Sequence, residues 1–396
     1  MGEVGRECES ERGESGVKRG TDRAALARIC AVLAMLALAA LTITACGGSS
    51  GDSSTSGETS SATEATSEGG GEAAEDSETV SGTTGESKYS GPQKDLPAGF
   101  GEPQKTGGPM TFGYLQIYGS LPVLGTEQKG AEEEAANLGV KLIVKDAQLN
   151  PQTQVSQFNQ LLAQGVDGIV VYPVVAGSLG PSLDRAEAAG IPVVSTNARP
   201  DVTKPLPPGY TADVEQTLDV EAYEMARVMS ESNPGAKFGI IGLGLPVEAL
   251  KYLAARQQFW GEHFGLEYVG TSDAKQDTPT AYGPAASELL SKASDIEQIF
   301  TYNDAVALTA STVARSSGKS EIEIAGGSGT EETALKAIEA GQITMSYQMP
   351  WAETGAQMIK GAYDYATKQH LPLPETVGLR GTVITQDNAG EVEPTK

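Results

Sequence analysis

From Met110 onward, short apolar runs alternate with longer amphipathic stretches. "MTFGYLQ" (110–116), "VKLIVKD" (140–146), "GIVVYP" (168–173) and "IPVVST" (191–196) have the length and β-branched content of strands. Between them, "VLGTEQKGAEEEAANLG" (123–139), "NPQTQVSQFNQLLAQG" (150–165) and "SLDRAEAAG" (182–190) read as helices. In the second of these, Val155, Phe158, Leu161 and Leu162 form one apolar face. Pro151 opens it, at a position where a missing N–H leaves no bond unmade. Short strands that are apolar on both faces, each followed by a helix, predict a parallel sheet covered on both sides.

After Pro208 the alternation resumes. Residues 219–232, 247–264, 284–293, 305–317, 331–340 and 351–368 read as helices. "KFGIIGLG" (237–244), "LEYVGTS" (266–272), "IEQIFTYND" (296–304), "IEIAGG" (322–327) and "QITMSYQ" (342–348) read as strands. The expected fold class is therefore α/β, with two doubly wound parallel-sheet domains. Ligands of such sheets sit beyond the carboxyl ends of the strands. That rule singles out Gln116 to Tyr118, Tyr172, Asn197, Tyr302 to Asp304, Ser328 and Gln348.

The first hundred residues follow other patterns. Lys18, Arg19, Arg23 and Arg28 precede an almost wholly apolar stretch from Ile29 to Ala45, then Cys46. This is the layout of a secretory signal, spanning 1–45. Ile43-Thr44-Ala45-Cys46 resembles the bacterial lipobox, whose cysteine is lipidated and becomes the first residue after cleavage. Cys8 and Cys30 would leave with the signal, so Cys46 alone would remain, without a disulfide or a thiolate cluster. Residues 46–108 are rich in Gly, Ser, Thr and Glu and poor in apolar side chains. Such a segment cannot offset its ordering entropy and is expected to be a disordered tether with a span of about 40 Å. The formal charge of -24 argues against nucleic acid as a partner.

Catalytic chemistry is scarce. His263 and His370 are the only histidines, and neither falls at a strand end, which disfavours a Ser-His-Asp arrangement. "GGSSG" (47–51) has the letters of a nucleophile elbow but lies in the tether. Ser328 in "GSGT" reads as an N-cap, with Glu331 closing a capping box. "SSGKS" (316–320) lacks the leading glycine of a phosphate loop, because Val313 stands there. No His, Cys or carboxylate spacing suits a metal, and no cofactor is expected. An enzyme is the weakest reading.

Several long stretches carry a resemblance. "GAEEEAANLGVKLIVKDAQLNPQTQVSQFNQLLAQGVDGIVVYPV", "AAGIPVVST", "FTYNDAVAL" and "SYQMPWAETG" follow, in order, the pattern of the periplasmic sugar-binding proteins of the ribose/galactose type. The resemblance covers about residues 110–390. It implies the type I periplasmic-binding-protein fold, two α/β lobes joined by three hinge crossings with the ligand between them. On that basis one lobe should comprise 109–212 plus 349–378 and the other 213–348 plus 379–396, with hinges near Ala212, Gln348 and Gly378.

The resemblance also implies site residues. The family's arginine falls on Arg256, its asparagine of the Asn-Asp pair on Asn303 and its hinge glutamine on Gln348. Arg256 has the alternative of a solvated place on an amphipathic helix, and Asn303 that of capping the next helix. Elsewhere the chain departs. The family's Asp-Arg pair reads Asn197-Ala198, a further aspartate is Ser328, an asparagine is Tyr172, and Asp277 falls where the family has an aromatic. The first strand-loop reads Ile117, Tyr118, Leu121, Val123 and Leu124, more apolar than a pentose needs. Tyr118 is a ligand candidate at its strand end, and Tyr172, Tyr302 and Trp351 could each stack on a ligand or simply pack. Trp260 is expected in the core. The implied ligand is a sugar-like molecule with one apolar face, and an unbalanced Arg256 would favour an acidic group on it.

The function implied is a monomeric, lipid-anchored extracytoplasmic solute receptor that serves the permease of an ABC importer. The alternative is a sensor of the same fold that hands its closed state to a membrane signalling partner. A transcriptional regulator on this fold is disfavoured by the signal and tether and by the lack of a DNA-binding headpiece.

Overall fold

A computed structural model describes residues 89–395. The expected secretory signal, Cys46 and most of the expected tether lie outside the described residues.

The first lobe is built on strands β1 (Met110–Gln116), β2 (Val140–Asp146), β3 (Gly168–Val171), β4 (Val193–Thr196) and β5 (Ala212–Glu215). A late strand, β11 (Thr376–Gly378), joins them, and the six run parallel in the order β11-β5-β4-β3-β1-β2. Helices α1 (Pro122–Leu138), α2 (Pro151–Ala163) and α3 (Gly180–Ala188) connect the early strands. The pleat of β1 shows how the sheet is covered twice. Phe112 and Tyr114 join a core with Ala131 of α1 and with Met358 and Tyr363 of α9 (Trp351–Thr367). Leu115 points the other way, to Phe158 and Leu161 of α2.

The second lobe repeats the plan. Strands β6 (Lys237–Leu243), β7 (Glu267–Ala274), β8 (Gln298–Thr301), β9 (Glu323–Ala325), β10 (Met345–Gln348) and β12 (Thr382–Thr385) follow the order β12-β10-β9-β8-β6-β7. Only β12 is antiparallel to its neighbour. Helices α4 (Leu218–Ser232), α5 (Glu248–His263), α6 (Pro279–Lys292), α7 (Asp304–Ser316) and α8 (Glu332–Glu339) cover it. The expected two-sheet α/β architecture is what the chain adopts.

Four details differ from the sequence reading. β5 belongs to the first sheet, so the chain crosses after Glu215 rather than at Ala212. Asp213 and Glu215 on that strand are buried, and two carboxylates among four residues hide a core strand from a hydrophobic pattern. Helix α6 begins at Pro279, not 284. Pro279 is preorganised for the first turn, and Pro284 sits one turn further in. Glu331, not Ser328, is the N-cap of α8, and it makes no side-chain cap bond. Ser328 adopts φ 63° in the loop before it.

The fourth difference is the end of the tether. Residues 89–106 lie along the folded body as a strap. Tyr89 is buried, its ring 5.3 Å from Tyr223 and its hydroxyl donating to Asp219 at 2.5 Å, both in the second lobe. Gln93 Nε2 donates to Glu215 (3.1 Å), and Gln93 Oε1 accepts from the Asp219 N–H (2.9 Å). Further on, the N–H groups of Phe100 and Thr106 donate to Gln357 (2.7 Å) and Tyr363 (2.6 Å) of the first lobe. Composition hides this, because a few well-placed aromatics and glutamines hold the segment.

Candidate ligand cleft

In each sheet the order of connection reverses beside the first strand of that lobe, so a crevice opens there at the carboxyl ends. The two crevices face one another and form one cavity, with an empty volume of about 510 Å³ counting its open mouth. The first lobe supplies Ile117 and Tyr118 after β1, Leu121, Val123 and Leu124 at the start of α1, and Tyr172 after β3. The second supplies Leu243 at the end of β6, Asp277 after β7, Tyr302 and Asn303 after β8, and Ser328 after β9. Trp351, at the start of α9, reaches across the rim, where its Nε1 donates to the Ser328 carbonyl.

Of the expected site residues, Tyr118, Tyr172, Tyr302, Asn303 and Ser328 line this cavity. Asn303 does two things at once. Its Oδ1 accepts from the Val306 N–H at 2.8 Å and caps α7, while the residue remains part of the wall. Tyr302 and Tyr282 both donate to Asp277 Oδ1, at 2.9 and 2.6 Å. Burial, with Asp277 beside it, pushes the Tyr302 phenol far above its usual range, so it stays a donor.

Three expected residues are placed elsewhere. Asn197 is buried behind the wall at φ 52°. Its Nδ2 donates to the Tyr172 hydroxyl (3.2 Å) and to Gln216 (2.7 Å), so it orients Tyr172 instead of lining the cavity. Gln348 ends β10 outside the cavity wall. There its Nε2 donates to the Glu393 carbonyl at 2.9 Å and to Thr395 at 3.3 Å. Arg256 is also outside. Its Nε donates to Asp219, and its guanidinium lies 4.0 Å from the Phe259 ring centre. The reason is helical phase. Val247 and Leu250 are in the wall, and at about 100° per residue Arg256 falls on the opposite side of the helix from Val247. Trp260, expected in the core, is buried and also donates to Asp219, at 2.8 Å.

The wall residues missed in the sequence are Leu149, Leu243, Val247 and Leu250. "GLPVEAL" (244–250) carried the signal: apolar residues at a strand end and on the first turn of the next helix. They add an apolar stretch to the second lobe's wall, beside the polar Asp277, Asn303 and Ser328. Arg256 lies outside this wall, and among the described residues no lysine, arginine or histidine lines the cavity to favour an acidic ligand group.

Buried carboxyls stand behind the wall. Burial pushes Glu127 up to about 8, against the Tyr114 hydroxyl that donates to it at 2.7 Å. Burial likewise pushes Glu221 and Asp304 well above the usual carboxyl range. Among the described residues no group of His, Cys, Asp and Glu could hold a metal ion, and no helix is long and apolar enough to cross a membrane.

The family model "Periplasmic binding protein domain" matches residues 119–370, more than half of the chain. The chain belongs to that family. Among curated relatives, this periplasmic binding protein is 29% identical over 224 residues to the ribose import binding protein of Bacillus subtilis, covering 55% of this chain and 69% of the relative. It is 24% identical over 233 residues to the xylitol-binding protein of Mycolicibacterium smegmatis, covering 57% of this chain and 64% of that one. A solved ABC transporter solute-binding protein from Bacillus halodurans with bound myo-inositol superposes with a TM-score of 0.62 at 25% identity, covering 71% and 96% of the two chains. Another, from Actinobacillus succinogenes with bound D-allose, gives 0.65 at 20% identity, covering 72% and 100%. The resemblance to the ribose/galactose type is borne out, and this periplasmic binding protein is a solute-binding protein, not an enzyme.

Proposed function

We propose that the chain captures a sugar-like small molecule between its lobes, outside the cytoplasmic membrane, and delivers it to the permease of an ABC importer. The observation that carries this reading is a single cavity walled by the carboxyl ends of both parallel sheets, with Trp351 of one lobe bonded to Ser328 of the other at its rim. A ligand that touches both walls stabilises the closed arrangement by its differential affinity for it. Tyr118, Tyr172, Tyr302, Asn303 and Ser328 are the ligand residues of this reading. Leu121, Val123, Leu243, Val247 and Leu250 call for an apolar face on the molecule, as in a deoxysugar, a cyclic polyol derivative or a sugar conjugate. Cys46 carries two acyl chains, because one chain gives only marginal anchoring.

A thermal-shift screen of sugars, polyols and their conjugates tests the capture. At least one should raise the melting temperature in a saturable way, and a screen with no saturable shift would end the reading. Mass spectrometry of the native N-terminus tests the anchor separately, and an unmodified Cys46 or an intact signal would remove it.

A further inference from the structure

Among the described residues, Asp277 is the one charged side chain in the cavity wall. It is buried, and no described basic side chain pairs with it. Lys275, two residues earlier on the same loop, is exposed. The hydroxyls of Tyr282 and Tyr302 both donate to the same carboxylate oxygen, Oδ1. Two donors on one oxygen fix the side chain and leave Oδ2 as the acceptor for a ligand.

Two neutral donors offset part of the desolvation of a buried carboxylate, and a well-placed opposite charge offsets more. No described residue supplies that charge here. The rings of Tyr118, Tyr172, Tyr302 and Trp351 line the same cavity, and aromatic π-faces attract cations. Leu243, Val247 and Leu250 offer no partner to a hydroxyl, so a ligand polar on every face would leave groups unsatisfied against them. An acidic ligand would meet Asp277 as a like charge.

We infer that the ligand carries a protonated amine that pairs with Asp277, on a ring with one apolar face: an amino-substituted sugar or cyclitol, not a neutral or acidic one. This rests on the solute-capture reading above and names the chemical class at the same site.

The test is calorimetric titration of the full chain with two matched trios. D-glucosamine, D-glucose and D-glucuronate vary the charge on a sugar body. Tyramine, tyrosol and 4-hydroxyphenylacetate vary it on an apolar body. In each trio the amine should bind about ten- to a hundredfold tighter than the alcohol, the range for one charge-assisted hydrogen bond, and the acid should bind weakest. Asp277→Asn can still accept from both tyrosines through Oδ1 but puts an NH2 donor in place of Oδ2, so it removes both the charge and the acceptor offered to the amine and should bring amine and alcohol within about threefold of one another. The trios in the parent decide the matter even where that variant fails to fold. Equal binding of amine and alcohol in both trios, or the acid tightest of either trio, would overturn this inference and leave solute capture standing. An amine preference confined to the tyramine trio would support the charge pairing and overturn the sugar-like ring. No binding by any of the six would overturn the inference, whatever the wider screen finds.

Discussion

Leu250 and Arg256 stand six residues apart on α5 and serve different ends. Leu250 meets the cavity, while Arg256 binds Asp219, which also accepts from Tyr89 and Trp260. Arg256→Ala should therefore leave ligand affinity within about twofold of the parent. It should cost about 2 kcal/mol of stability, below the range for a fully buried pair because the guanidinium is partly exposed. Denaturant unfolding and titration, run side by side, check both halves, and a loss of affinity without a loss of stability would contradict this placement. Glu127 makes a second prediction. Its carboxyl is raised in the fold from 4.5 to about 8, chiefly by burial. A raised folded pKa means that the fold holds the proton more tightly than the unfolded chain does. The stability it confers is complete below about 4.5 and is lost as pH rises towards about 8. Glu221 and Asp304 shift in the same direction. The melting temperature should fall across that window, and Glu127→Gln, which can still accept from Tyr114, should flatten the fall and melt higher than the parent at pH near 8. Parallel melting curves for the two proteins would count against it.

Among elements, the contact of α1 with α9 sets how Trp351 is presented. Both helices bring glycines to the crossing: a Cβ on Gly355 would lie 1.9 Å from the Glu127 carbonyl oxygen, and one on Gly130 the same distance from that of Ala352. Backbone meets backbone there, so no side chain can yield. Gly355→Ala should cost about 1–3 kcal/mol, the range for overpacking, despite the higher helix propensity of alanine. A variant as stable as the parent in urea would show that the two helices can part without penalty. The same elements show why helices were easier to read than some strands. Helices α2 and α5 run 13 and 16 residues, long enough to display a period. Strands β5, β11 and β12 have four, three and four residues, and β5 buries two acids.

At the scale of the whole molecule, the lobes are joined where β5, β10 and β11 end, and these crossings are tied together. Thr217, at φ 46°, donates through Oγ1 to the Leu379 carbonyl at 2.8 Å. Tyr347 accepts from the Gly381 N–H at 2.9 Å, and Gly378 donates to Pro97 of the strap at 2.7 Å. Bound crossings of this kind favour rotation of two rigid lobes over distortion within either. Ligand should therefore compact the body, as a smaller radius of gyration in solution scattering, and identical profiles with and without a confirmed ligand would argue for a fixed cleft. Trp351→Phe removes the rim bond to Ser328 and should weaken binding by up to about tenfold while enlarging the ligand-free body, since one interlobe hydrogen bond is worth about 1 kcal/mol.

The sequence by itself determined the α/β class, the two-sheet plan, the strand ends that carry Tyr118, Tyr172, Tyr302, Asn303 and Ser328, and the apolar first-lobe wall. Those features are local, set by runs of four to eighteen residues whose period or β-branched content is written in order along the chain. Tertiary structure alone decided which side of α5 faces the ligand, and so exchanged Arg256 for Val247 and Leu250. It alone placed Gln348 against Glu393 and Thr395 and Asn197 behind Tyr172, gathered Tyr282 and Tyr302 onto Asp277, and laid residues 89–106 across both lobes. Each of these depends on the rotation of one element against another, or on partners more than a hundred residues apart. Asp219 and Tyr89, separated by 130 positions, are such a pair. Hydrophobic period fixes what an element is, but the direction in which a given side chain points is fixed by what the rest of the molecule packs against it.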